Sequence, residues 1–144
     1  MTEGNLFPEQ PAHDPGGKVK LALQEGVTGD AEFSECGRYR HWLSRYWGAQ
    51  QYSYALWIGM NPSTAEANVD DPTIRREINF TRSWGLAVYM KCNVMNYRAT
   101  SPKRLLEHGV VPSSPLNIPT ILRFAPQADR IIVCYRVLPP KLQA

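Results

Sequence analysis

Residues 54–94 read YALWIGMNPSTAEANVDDPTIRREINFTRSWGLAVYMKCNV, and this stretch decides the fold. Tyr54 to Met60 is a continuous apolar run ended by Asn61-Pro62-Ser63, the pattern of a strand buried on both faces. A helix follows. Asp71 is a good N-cap, Pro72 suits the first helical position, and Ile74, Ile78 and Thr81 with Phe80 and Trp84 form a helical stripe that Gly85 stops. Leu86 to Val94 is a second buried strand. Strand, helix and strand at this spacing predict a β-α-β crossover and a parallel pair.

The same reading extends outward. After the second strand, Ser101 caps a short helix with Pro102 at its first position, ended by Gly109. A helix is expected around Pro119 to Phe124, and Asp129 to Tyr135 reads as a third apolar strand. On the N-terminal side, 31–36 and 38–47 read as two short strands turned at Gly37, with a helix as the rival reading of the second. The expected class is α/β: a three-layer α/β/α sandwich with a mostly parallel sheet and the hairpin at its edge. Residues 1–17, with three prolines and three glycines, read as a flexible leader, and 18–144 as a single α/β domain.

Composition sets the outer limits. The chain has 144 residues, 43% hydrophobic and 20% charged, which suits one domain with one core and excludes disordered, collagen-like and coiled-coil classes. No apolar run nears the ~20 residues that span a bilayer, and no secretory signal opens the chain, so no membrane partner is expected. Cys36, Cys92 and Cys134 are odd in number and contain no CxxC, so a reducing cytoplasm is the expected location. The net charge of +3 is unevenly spread: residues 1–37 carry two bases and seven acids, and 38–144 carry 14 bases and six acids. A basic body suits an anionic partner, and equally a solvated surface.

Ligands of open parallel sheets bind at the carboxyl ends of strands, so the polar segments there hold the candidate residues. Asn61 can hold a water or read a base edge, or simply form a turn before Pro62. Ser63 and Thr64 can bond a phosphate or close their own turn. Asp71 is taken by capping, which leaves Asp70 as candidate general base or as a single magnesium ligand, too few for a metal site. Arg75 and Arg76 lie against the helix dipole, a local conflict that points to pairing with Asp70 or gripping an anion. Asn96, Tyr97 and Arg98 form a second polar cluster, in which Tyr97 can stack on a base and Arg98 take a phosphate. With Arg82, the arginines Arg75, Arg76 and Arg98 flank the expected cleft. His13, His41 and His108 show no spacing that would activate a serine, and GMNPST is not a phosphate-binding glycine loop. The sequence leaves open whether a cofactor or a metal is used. The tryptophans read as core.

Three segments carry a resemblance: CGRYRHWLSRYWG, IGMNPSTAEANVDDPTIRREINFTRSWG and NVMNYRATSPKRL. Over about residues 31–135 they resemble the bacterial and phage family known as domain of unknown function 1643, which brings no established activity. Gly59-Met60-Asn61-Pro62-Ser63 also resembles the first motif of the uracil-DNA glycosylase superfamily, where the Asn holds the attacking water; this likeness would give Asn61 that role. Family members continue past the third strand, through a glycine-containing strand end and a late His-Pro element. Here the chain ends IIVCYRVLPPKLQA, with Arg136 where a glycine is expected. The resemblance therefore implies a C-terminally truncated form, inactive if the missing element is catalytic, with its last strand exposed at an edge. Three functions compete: a nucleotide- or nucleic-acid-directed enzyme (base or N-glycosidic bond hydrolysis), a non-catalytic binder of the same ligands, and an interaction module of mobile elements.

Overall fold

A computed structural model describes residues 19–48 and 52–135. In chain order the elements are β1 (Leu21–Ala22), β2 (Thr28–Phe33), β3 (Arg40–Tyr46), β4 (Tyr54–Gly59), β5 (Val69–Asp70), α1 (Pro72–Ser83), β6 (Val88–Asn93), a 3-10 turn (Pro102–Leu106), α2 (Asn117–Phe124), a second 3-10 turn (Ala125–Gln127) and β7 (Arg130–Val133). The expected leader and the expected change at Arg136 lie outside the described residues.

Five strands form one sheet in the order β2-β3-β6-β4-β7. β4 pairs in parallel with both β6 and β7, whereas β3 pairs antiparallel with β2 and with β6. This corrects the expected three-layer α/β/α sandwich with a mostly parallel sheet. The hairpin supplies two of the five strands, and its junction with β6 is antiparallel, so the sheet is mixed. The segment after Ser101 closes as a 3-10 turn, leaving two α-helices, of 12 and 8 residues, among the described elements. β1 and β5 form a separate two-stranded ladder.

Alternation along the strands explains the continuous apolar runs. Ala55, Trp57 and Tyr89 face α1, where they pack with Leu43, Ile74 and Ile78. Leu56, Met90 and Cys92 face the other way, against Trp42, Ile121 and Phe124. α1 begins as its sequence dictates: the Asp71 carboxylate accepts from the Ile74 amide at 2.8 Å, and Pro72 occupies the first turn. Gly85, at φ 76°, follows its C-terminus.

The connections run to both sides of β4. The chain leaves β4 through α1 to reach β6 on one side, then leaves β6 through α2 to reach β7 on the other side of β4. Crossovers of one hand running in opposite directions place their helices on opposite faces. The direction of crossover thus reverses between β4 and β6, whose carboxyl ends lie at Gly59 and Asn93, the place where such folds bind ligands. Among the described residues, no helix is long and apolar enough to cross a membrane.

Candidate functional site

On β6, Tyr89, Lys91 and Asn93 point to the α1 side by the period of two. Lys91 lies opposite Trp57 in the ladder, and Asn93 opposite Gly59. A Cβ on Gly59 would stand 2.9 Å from Lys91 Cε, Lys91 Nζ and Asn93 Nδ2, so the absent side chain makes room for the lysine tip. From above, the buried stripe Ile74, Glu77, Ile78, Thr81 of α1 sets one carboxylate over that tip.

Lys91 Nζ donates to Glu77 Oε1 at 2.7 Å and to Oε2 at 3.0 Å, and Tyr89 donates its hydroxyl to Oε1 at 2.6 Å. Cys134, just past β7, is positioned by its amide, which donates to the Ile58 carbonyl at 2.9 Å. Its Sγ lies 3.6 Å from both Lys91 Nζ and Glu77 Oε2. Burial, reinforced by Glu77, pushes the Tyr89 hydroxyl well above its ordinary pKa, so it remains a donor. Cys134 is exposed at its residue, but partial desolvation of its sulfur raises the thiol pKa. Oε1 already accepts two strong hydrogen bonds, while Oε2 accepts one from Lys91 and a weak one from the thiol. Each carboxylate oxygen has two acceptor positions, so a further donor would reach Oε2 by displacing the weak thiol contact.

Glu77 is 5% exposed, and it meets solvent in a groove of about 560 Å³ lined also by Trp57, Pro72, Thr73, Arg76 and Phe80. Trp57 and Phe80 are shared with a neighbouring groove of about 460 Å³, completed by Trp84, Arg130, Ile131 and Ile132. Trp57 stacks on Trp84 with centroids 5.5 Å apart, and Phe80 lies 6.2 Å from Trp84. Arg130 covers the Trp84 ring at 4.6 Å. The site thus combines a carboxylate balanced by an ammonium, an aromatic wall and two arginines. Among the described residues, no three His, Cys, Asp or Glu side chains converge as a metal site.

The residues singled out from sequence are distributed elsewhere, with one exception. Asn61 Nδ2 donates to the carbonyls of Ala99 at 2.7 Å and Pro62 at 3.2 Å. Backbone bonds Val94 to Gly59, Met95 to Met60 and Ala99 to Pro62 tie the same two strand-end segments together. Asp70 is 0% exposed, with Arg45 Nε at 2.8 Å and Arg75 Nε at 3.1 Å on its two oxygens. Ser63 is half-buried, and Thr64 is buried with no hydrogen-bond partner for its hydroxyl. Asn96 is buried between His41 Nδ1 and Ser114 Oγ. Tyr97 packs with Ala99 and Leu105 and meets Tyr39 edge to face. Arg98 bonds Glu66 at 3.0 Å and lies over Phe33, while Arg82 lies over Trp47. Arg76 is the exception: it is exposed and lines the Glu77 groove.

Sequence reading missed Glu77 and Lys91, although each leaves a signal. Glu77 is an acid three residues after Ile74, inside the buried stripe of an amphipathic helix. Lys91 is the single charge within the apolar run 86–94. A buried acid and a buried base on adjacent elements are expected to pair.

Neither the curated proteins nor the solved structures give a match to this chain. The family model described as a protein of unknown function (DUF1643) matches residues 40–143, from the first residue of β3 past β7. That span contains β4, α1 and β6, the elements that carry Glu77, Lys91 and Tyr89. The chain therefore belongs to the DUF1643 family.

Proposed function

We propose that the protein is a nucleotide- or nucleic-acid-directed hydrolytic domain, and that Glu77 is its reacting group. The observation that carries this reading is the carboxylate held by Lys91 and Tyr89 at the floor of an aromatic, arginine-lined groove. A planar base suits the exposed ring of Phe80, and a phosphate suits Arg76. Glu77 Oε2 holds a water beside the base. In hydrolysis of the N-glycosidic bond, the water oxygen bonds to the sugar carbon and its proton passes to Glu77. The carbon–nitrogen bond breaks with its electron pair on the base, which then takes up a proton. Lys91 offsets the carboxylate charge and fixes its orientation. In this proposal Asn61, Asp70, Arg75, Asn96 and Arg98 hold the strand-end loops that frame the site.

The test measures free base released from uracil-containing and mismatched oligonucleotides and from mononucleotides. Glu77→Gln should lower release by about 100-fold or more, the usual contribution of a positioned acid–base group. Release unchanged by that substitution would overturn Glu77 as the reacting group. Binding without release from the native chain would favour the non-catalytic reading. No binding at about 50 mM salt, where phosphate contacts are strongest, would remove the ligand class altogether.

A further inference from the structure

We infer that Lys91 and Cys134 form an oxidative modification site, at which hydrogen peroxide joins the lysine nitrogen to the cysteine sulfur through one bridging oxygen. The inference goes beyond the nucleotide reading and stands without it. The two residues are 43 positions apart in sequence, yet Cys134 Sγ lies 3.6 Å from Lys91 Nζ. β4 runs between the strands that carry them, and Gly59 makes the meeting possible. A Cβ on Gly59 would stand 2.9 Å from Nζ, so the bare backbone leaves the lysine tip free to reach towards the sulfur. The sulfur is held in place as well: the Cys134 amide and thiol both donate to the Ile58 carbonyl, at 2.9 Å and 3.3 Å. Among the described residues, Cys134 is the cysteine whose sulfur contacts a lysine. Cys36 meets Ser34, and Cys92 packs on the opposite face with Leu56 and Met90.

The reaction needs a neutral amine, a proton acceptor and an oxidant. Glu77 Oε1, 2.7 Å from Nζ, is placed to take the ammonium proton. The oxidant is hydrogen peroxide, consumed twice. The sulfur attacks one peroxide oxygen: an S–O bond forms, the O–O bond breaks, and the thiol proton leaves in water, giving a sulfenic acid. The lysine nitrogen attacks a second peroxide in the same way, giving a hydroxylamine and a second water. The hydroxylamine oxygen then bonds to the sulfenic sulfur, the S–OH bond breaks, and a third water departs. Sulfur and nitrogen are each oxidised by two electrons, and each peroxide is reduced by two. One inserted oxygen spans most of the observed separation, whereas a direct sulfur–nitrogen bond would demand a much closer approach. A nitrogen bearing oxygen is a weak base, so the bridge removes the cation that balances Glu77. Hydrogen bonds lower the Cys36 pKa while burial raises that of Cys134, so the bridge forms more slowly than Cys36 oxidises.

The experiment treats the full chain, carrying Cys36→Ser to remove the more reactive thiol, with hydrogen peroxide in native buffer. Free thiols are then alkylated in denaturant and the chain is digested with trypsin. Mass spectrometry should find the Lys91 peptide joined to the Cys134 peptide, about 14 Da heavier than their sum, for one oxygen gained and two hydrogens lost. Met90 and Met95 lie in the same peptide, so fragment ions assign the link to Lys91 and Cys134. A dithiol reductant should restore both side chains, and Cys134→Ala should abolish the link. Peroxide added to the urea-unfolded chain should give none, because the two groups then lack their contact. Cys134 oxidised to sulfinic acid with Lys91 unlinked, Cys134 left unoxidised, or equal linking in the unfolded chain would each overturn the inference. None of these readouts uses a nucleotide, so their failure leaves the Glu77 reading to its own test.

Discussion

Lys91 Nζ lies 2.7 Å and 3.0 Å from the two carboxylate oxygens of Glu77, joining β6 to α1 inside the covered face of the sheet. Both residues are 5% exposed. Removing one partner leaves the other charged and buried. Lys91→Met or Glu77→Leu alone should therefore cost about 3–5 kcal/mol, and the double substitution should cost clearly less than the sum. Urea unfolding of the double-mutant cycle measures this coupling.

Asp70 has two arginines, and they are not equivalent. Arg45 is fully buried, whereas the Arg75 side chain is 25% exposed and water can replace what it loses. Asp70→Ala should destabilise by about 3–5 kcal/mol because it strands Arg45. Arg75→Ala should cost about 1 kcal/mol or less. Denaturant midpoints of the two variants should separate accordingly.

Gly59 faces the lysine tip, and a methyl group there would press on Lys91 and Asn93. Gly59→Ala should lower stability by about 1–3 kcal/mol, the usual cost of overpacking. It should also reduce any Glu77-dependent turnover, because Lys91 must shift away from the carboxylate. A crystal structure of the variant would read that displacement directly.

Cysteine reactivity should be ordered by environment. Hydrogen bonds from Ser34 and from the backbone at Arg38 lower the Cys36 pKa, whereas burial pushes Cys92 up to about 12 and also raises Cys134. At mildly alkaline pH, Cys36 should alkylate first and Cys92 only on unfolding. Peptide mass mapping after brief iodoacetamide treatment checks the order. The Cys92 shift also acts on stability. The unfolded thiol ionises near pH 9 while the folded one retains its proton, so this contribution is complete below about pH 9 and declines as pH rises towards 12. Replacing Cys92 with Ala should flatten the fall in urea midpoint above pH 9.

What could be read from sequence was local. Tyr54 to Met60, the Asp71-Pro72 helix start and the strand around Val88 to Asn93 announce themselves through burial pattern and capping chemistry. Pairing direction does not: alternation in Arg40 to Tyr46 fixes which side chains share a face but not that its neighbour β6 runs antiparallel. The two-residue strands Leu21–Ala22 and Val69–Asp70 are too short to show any period. The DDPTIRR motif directed attention to Asp70 and Arg75, which meet each other. The buried acid directly follows the motif, at Glu77, where a single charge in an apolar stripe reads as an irregularity until Lys91 is seen opposite it.

The Arg45 guanidinium has consequences for kinetics. Besides Asp70, it donates to the carbonyls of Ser44, Glu66 and Val69 from within β3. The segment 66–70 cannot lift off without leaving a buried cation with only the Ser44 carbonyl among these acceptors. Its local opening should thus be coupled to the loss of β3 itself. Amide protons there, such as the Glu66 amide bonded to the Val69 carbonyl, should exchange with solvent as slowly as those of the central strands, although the segment has the outward look of a surface loop.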